Sequence, residues 1–297
     1  AAMKSFMKPN SPHPPEGCKM RILLSVFLTV FILGFNHADA AVLKTNADDG
    51  DACSASAPMM TSGSSCRATP SQYTVTIYEM GVCTSDPFNA GTNTAMDKSS
   101  CNTVFENSSG FTNDYGASIG TTVEMEGTSS RPEAGTYKYP YMVMGITFVV
   151  DGSFTSNSVT YYSDGSGGVT TTSGSAASYT DNLLNFGGPK CVSGYMDAPI
   201  SGVGTISAFL TNASLTRPDE DDRTLSSGNY VCTNTTRLVG VMNLDNPFTI
   251  TEDTIGFQYN FILTDYGIQF FDDSSPNNIP DGFGSGPFSG SFTITNR

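Results

Sequence analysis

Short runs in which every second residue is hydrophobic dominate the chain from residue 72 to the C-terminus. Residues 73–77 and 257–263 are the clearest cases. This spacing of two is typical of an antiparallel strand with one buried face and one face in water. Clusters of Gly, Asn, Asp and Ser separate the runs, as turns do in β-sandwiches. We therefore predict an all-β fold, an antiparallel β-sandwich of the jelly-roll or Ig-like type, with helix limited at most to one or two turns at 179–186.

An apolar stretch near the N-terminus predicts export. Arg21 precedes the apolar residues 22–35, and Ala38-Asp39-Ala40 has the small-x-small pattern of a signal-peptidase site. A membrane-spanning helix needs about 20 apolar residues, so we prefer a cleaved signal peptide to an anchor. We predict that translation starts at Met20, that cleavage precedes Ala41, and that no membrane span remains after cleavage. The predicted localisation is secreted, cell-surface or periplasmic.

The charge of the chain excludes several partners. The whole chain has 14 basic and 28 acidic residues. Residues 1–40 hold four of the basic and two of the acidic ones, which leaves 10 and 26 and a net charge of −16. Such a surface repels phosphate backbones, so we expect no nucleic acid partner.

The distribution of histidine limits catalysis. Both histidines, His13 and His37, lie in the predicted leader. The mature chain therefore lacks the imidazole of Ser-His and Cys-His chemistry, and only paired carboxylates remain as a catalytic set. The densest acidic run, residues 219–222, follows Arg217-Pro218 and is more typical of a solvated loop than of an active site.

Six cysteines follow the predicted cleavage site, which in an exported chain predicts three disulfides. Six cysteines allow 15 pairings, and the sequence alone does not choose among them. Short loops close at the lowest entropic cost, which favours Cys53–Cys66, Cys83–Cys101 and Cys191–Cys232. A zinc cluster is disfavoured because no C-x-x-C pair occurs.

Composition divides the chain into three regions. Residues 1–40 are the leader, 41–70 form a polar N-terminal arm tied by one disulfide, and 71–297 form the β-sandwich domain. A division of that domain near residue 187 is the alternative, but no Pro-rich linker marks it. The arm either docks along the sheet edge of a neighbouring copy or is a disordered spacer.

One segment suggests a cofactor. Residues 277–282 read NNIPDG, and Asp273 stands four positions before the first of these asparagines. The segment 273–282 resembles a thrombospondin type 3 calcium repeat, whose pattern is D-x-D-x-D-G-I-P-D-G. The resemblance implies calcium bound by side-chain oxygens and one backbone carbonyl. Those ligands would be Asp273, Ser275, Asn277, Asp281 and the carbonyl of Ile279. A plain turn between strands is the alternative, and no other cofactor is expected.

Tyr137, Tyr139 and Tyr141 are spaced as a one-sided aromatic stripe, and Pro140 between them indicates an edge strand or a bulge. An exposed tyrosine stripe can stack on a surface glycan or mediate self-association, whereas a buried one is cross-strand packing.

Three functions remain compatible with these features. We favour an exported, non-enzymatic β-sandwich that acts as a structural or adhesive subunit at the cell surface or outside the cell. A carbohydrate-binding module that uses the three tyrosines is the alternative. A carboxylate-dependent hydrolase is a further one.

Overall fold

The computed structural model describes residues 2–6, 22–23, 52–60, 65–88, 93–186, 191, 194–200, 202–226, 229–272, 277–286 and 288–297. These residues form antiparallel strands and no helix, which confirms the predicted all-β class. Consequently, no helix in this part of the chain is long and apolar enough to cross a membrane.

The strands, in chain order, are β1 (Ala2–Phe6), β2 (Ile22–Leu23), β3 (Ser65–Ala68), β4 (Pro70–Cys83), β5 (Cys101–Asp114), β6 (Thr128–Ser129), β7 (Gly135–Tyr137), β8 (Tyr139–Gly145), β9 (Thr147–Ser156), β10 (Val159–Ser163), β11 (Val169–Thr170), β12 (Tyr179–Asn182), β13 (Gly194–Ile200), β14 (Gly204–Thr211), β15 (Arg223–Ser226), β16 (Asn229–Cys232), β17 (Arg237–Leu244), β18 (Phe248–Ile250), β19 (Thr254–Ile262), β20 (Ile268–Phe271), β21 (Gly282–Ser285) and β22 (Ser289–Asn296).

The largest sheet is organised around the long strand β4. Its path runs β11-β10-β9-β4-β8-β17-β14-β13, and β12 pairs with β9 while β5 pairs with β4. Strand β4 pairs with β9 near its start and with β8 near its end, so the sheet curls about this one strand. Strands from both sides of residue 187 share this sheet.

Smaller sheets pack against the inner face of the large one. They have the orders β2-β1-β19-β22 and β21-β20-β3. The predicted alternation produces the contact between the layers, because Tyr73 of β4 and Phe261 of β19 are both buried and their ring centroids lie 6.1 Å apart. The layered arrangement agrees with a sandwich, and the choice between jelly-roll and Ig-like types stays a prediction.

All three predicted disulfides are present. Cys53–Cys66, Cys83–Cys101 and Cys191–Cys232 have Cα–Cα distances of 4.8, 4.0 and 5.0 Å, within or just short of the usual range for bridged cysteines. Disulfides persist in oxidising compartments, which agrees with an extracellular environment.

The described part of the predicted arm joins the fold. Strand β3 pairs with β20, and Met59, Met60 and Cys66 are buried in the main core. This part of 41–70 therefore packs on the sandwich of its own chain. In the predicted leader, β1 pairs with β19 and β2 pairs with β1, while the predicted cleavage site lies outside the described residues.

Candidate functional site

A β-bulge in the middle of β4 creates the most distinctive surface feature. Ile77 is paired with Met144 of β8 and the next paired residue is Glu79, so Tyr78 is an extra residue. The register with β5 shifts at the same place. Consecutive strand residues normally point to opposite faces, whereas a bulge can direct two neighbours to one face. Here Tyr78 and Glu79 both line a groove on the outer face of the sheet.

This outer groove has a volume of about 470 Å³. Six of its polar and charged lining residues come from four parts of the chain: Tyr78, Glu79, Lys98, Glu106, Asn107 and Arg237. Strands β4, β5 and β17 supply five of them, and Lys98 comes from the loop between β4 and β5. A groove carried mainly by paired strands holds its side chains in fixed relative positions.

Glu79 is the best-anchored group of the outer groove. Lys98 Nζ donates to its two carboxylate oxygens at 2.8 and 3.0 Å, and Thr103 Oγ1 donates at 3.3 Å. The hydroxyl of Tyr141 also donates to Glu79. Burial and, next, the negative charge of Glu79 raise the pKa of Tyr141, so its hydroxyl stays protonated as a donor even above the ordinary tyrosine pKa of about 10.

Arg237 covers the tyrosine of the bulge. Its guanidinium carbon lies 3.6 Å from the centroid of the Tyr78 ring, which is the geometry of a cation–π contact. Gly110 makes room for the same ring, because a Cβ at Gly110 would lie 2.9 Å from Tyr78 Cε1. The planar guanidinium, held over this ring, therefore forms part of the groove lining.

The charges of the outer groove balance. Glu79 and Glu106 lie directly opposite each other on β4 and β5, and Lys98 and Arg237 supply two positive charges. In a chain with few basic residues, this places two cations in one groove. The groove therefore offers both hydrogen-bond donors and acceptors without a large net charge.

The three predicted tyrosines do not form one exposed stripe. Tyr137 is 2% exposed and its ring lies 6.0 Å from that of Phe248, and Tyr141 is 4% exposed in a separate core cluster. Tyr139 is half-buried, with Lys138 Nζ 5.8 Å from its ring centroid. Burial leaves Tyr137 and Tyr141 no free ring face for a sugar, and Tyr141 acts on the outer groove only through its hydrogen bond to Glu79.

The predicted calcium ligands are only partly described. Asp273 and Ser275 lie outside the described residues, while Asn277, Ile279 and Asp281 lie within them. The Asn277 side chain accepts a hydrogen bond from the Ile279 backbone at 2.9 Å, as in an ordinary Asx turn. Among the residues that the structure describes, no three His, Cys, Asp or Glu side chains are grouped to hold a metal.

Asp272 organises this loop, a role that the sequence analysis missed. It is fully buried, and its carboxylate accepts the backbone N–H groups of Asn277 and Asn278 at 2.9 and 2.6 Å. The calcium-repeat pattern begins at Asp273 and does not include Asp272, so nothing in that pattern indicates that Asp272 is buried.

The acidic run 219–222 forms a turn before β15. The Asp221 backbone N–H donates to Asp219 at 3.2 Å, and Arg223 forms an ion pair with Asp221 at 2.5 Å. These contacts agree with the predicted loop.

Comparisons with protein-family models, characterised proteins and solved structures found no match for the chain. The outer groove is thus the basis for a functional assignment.

Proposed function

We propose that this protein is an exported, non-enzymatic β-sandwich that adheres to surfaces by binding neutral carbohydrate in the outer groove. The β4 bulge carries this proposal, because it places Tyr78 and Glu79 side by side in a polar groove of about 470 Å³. That volume falls within the range of small-molecule binding sites.

The chemistry of the groove suits sugar hydroxyls. Each hydroxyl donates one hydrogen bond and accepts others, and the groove supplies the carboxylate of Glu106, the amide of Asn107 and the cations Lys98 and Arg237. The balance of two negative and two positive charges favours a neutral ligand over a polyanion. The flat guanidinium of Arg237 can lie against a sugar ring.

Export and the lack of an enzymatic role rest on different observations. The predicted signal peptide and the three disulfides support export. The mature chain has no histidine, and all six of its cysteines are bridged. Glu79 is the best-placed carboxylate, and three donors already engage it, which suits a fixed binding group.

A glycan array probed with the oxidised, secreted protein tests the proposal. We expect binding to a small set of neutral glycans and at least a tenfold loss in Arg237→Ala and Lys98→Ala. Arg223→Ala is the matched control, since it removes a cation that pairs with Asp221 outside the groove. Thermal unfolding of each variant distinguishes loss of the site from loss of the fold.

Two results would overturn this assignment. Binding that survives in both groove variants would place the ligand elsewhere. Shortening of the bound glycan, abolished in Glu106→Gln, would replace adhesion with the carboxylate-dependent hydrolase.

A further inference from the structure

An apolar cavity lies on the opposite face of the strands that carry the outer groove. Its volume is about 210 Å³. Met144 of β8 and Leu238 of β17 line it from the large sheet, and Gln269 of β20 and Phe288 line it from the other layer. We call this space the inner cavity. Ile206, Ala208 and Phe288 of its lining are only partly buried, so the inner cavity opens to the surface and a ligand can reach it.

Two very small residues form the floor of the inner cavity. Ala208 of β14 and Gly240 of β17 are directly opposite each other in the antiparallel register. A Cβ at Gly240 would have its nearest neighbour, Ile206 Cδ1, at 3.6 Å, which is ordinary van der Waals contact. Close packing therefore does not require glycine here. Glycine inside a strand can mark a place where a ligand approaches closely.

A second, smaller space adjoins the inner cavity. A smaller space of about 30 Å³ shares four of its lining residues, including Met144 and Gly240, and continues to Met142 of β8 and Met242 of β17. The extension therefore follows the direction of these two strands. An apolar cavity of about 150 Å³ binds benzene, so the inner cavity has room for a larger ligand, and the adjoining space along the strands gives an alkyl chain a direction in which to extend.

One part of the inner cavity is polar. The Gln269 amide donates to the Ser285 carbonyl at 3.2 Å, and Asp181 accepts hydrogen bonds from the backbone and the hydroxyl of Ser285, both at 2.8 Å. The Tyr73 hydroxyl lies 3.5 Å from the Gly286 carbonyl. No cationic side chain is among the described residues that line the cavity. Asp181 would repel a negative head group, and none of the described lining residues offers a compensating positive charge.

We propose that the inner cavity binds the aliphatic chain of a neutral amphiphile, with an uncharged oxygen head group beside Gln269 and Ser285. A ligand that binds the folded chain and not the unfolded one stabilises the native state. This binding site is separate from the outer groove, and the two ligands differ in chemistry.

Titration with 1-octanol tests the proposal on the oxidised, secreted protein. We expect octanol to raise the melting temperature and to shift the methyl NMR resonance of Met144. Octanoate, which has the same chain and a negative head, should bind at least tenfold more weakly. Ala208→Leu fills the floor and should weaken octanol binding at least tenfold. If Ala208→Leu prevents folding, Gly240→Ala, which adds only one methyl group, is the variant to test.

Ala117→Leu is the matched control, since Ala117 is exposed on a turn. It should leave octanol binding unchanged. The proposal is overturned if octanol shifts no Met144 resonance up to its solubility limit. Equal octanol affinity in the floor variants, or equal affinity for octanoate and octanol, would also overturn it.

Discussion

The two faces of strands β8 and β17 differ in the side chains they carry and in how closely these side chains pack. Val143 and Met144 are consecutive in β8, and the first lines the outer groove while the second lines the inner cavity. On β17, Arg237 likewise lines the outer groove and the next residue, Leu238, lines the inner cavity. On the outer face, polar groups are anchored by one another. On the inner face, small residues leave apolar space unfilled.

This difference shows two ways in which an otherwise regular sheet forms a groove or a cavity. The outer groove depends on one extra residue, Tyr78, which breaks the alternation of β4. The inner cavity depends on the small size of Ala208 and Gly240, and the strands β14 and β17 that carry them keep a regular alternation of faces. The first site is therefore sensitive to electrostatics and the second to volume, and experiments that change either property should separate them.

The largest expected effect is a loss of stability at alkaline pH. Burial raises the pKa of Tyr73, Tyr115 and Tyr259 in the larger core cluster, and of Tyr141 on the groove side. These tyrosines stay protonated in the folded chain but ionise near pH 10 when it unfolds. Their contribution is thus fully present below pH 10 and is lost as the pH rises further.

Each such tyrosine should lower the free energy of unfolding by about 1.4 kcal/mol per pH unit above 10. The four together predict a loss of about 5–6 kcal/mol at pH 11. Urea unfolding between pH 8 and 11 measures this slope, and Tyr115→Phe should reduce it by one quarter. A flat profile up to pH 11 would contradict the prediction.

The next effect concerns the disulfide between β4 and β5. Replacing Cys83 and Cys101 together by alanine should lower the free energy of unfolding by about 3 kcal/mol and the melting temperature by roughly 6–12 °C. Lys98 lies in the loop that this bridge closes, and its carbonyl accepts the Cys101 N–H at 3.0 Å. Glycan affinity should therefore fall while octanol affinity is kept. Equal losses of both would show that the two faces are not independent.

A smaller effect on stability is expected from removing single tyrosine hydroxyls, and Tyr141 and Tyr115 form a matched pair for this comparison. The Tyr141 hydroxyl donates to Glu79, so Tyr141→Phe should cost about 1–2 kcal/mol and weaken glycan binding. The Tyr115 hydroxyl is buried and has no hydrogen-bond partner among the described residues, so Tyr115→Phe should be neutral or stabilising. Chemical denaturation at pH 7 measures both. A similar cost for the two variants would mean that the Glu79 contact contributes nothing specific.

Much of the fold could be predicted from local sequence. The pattern of 73–77 and 257–263 places the inward residues correctly because one face of each strand is buried. The disulfide pairs follow from short loop closure. Strand β5 was not predicted, because most of its residues are polar and show no hydrophobic alternation. Its backbone pairing with β4 holds it in the sheet. The proposed helical turn at 179–186 was wrong over Tyr179–Asn182, which pairs with β9 instead.

The sites were harder to predict than the strands. The break in alternation at Tyr78 and Glu79 is visible in the sequence, and it signals the bulge. Lys98 and Arg237 are far from it in the chain, and only the sheet order brings them to the same groove. Gly240 is likewise visible as a glycine within an apolar run, but its opposition to Ala208 depends on the register of β14 and β17.

The smallest expected effect is stabilisation by calcium, which should depend on the segment 273–282 and not on the acidic turn 219–222. It decides whether 273–282 is a calcium site or a plain turn. The calcium repeat resemblance predicts that millimolar calcium stabilises the fold by about 1 kcal/mol, or roughly 2–4 °C in melting temperature. Asp281→Asn should abolish this rise, since it removes an implied ligand. Asp221→Asn removes one charge from the self-bonded turn 219–222 and should keep the rise. An equal rise in both variants would instead indicate general screening of the negative surface, and Asp272 would then hold a plain turn through the backbone of Asn277 and Asn278.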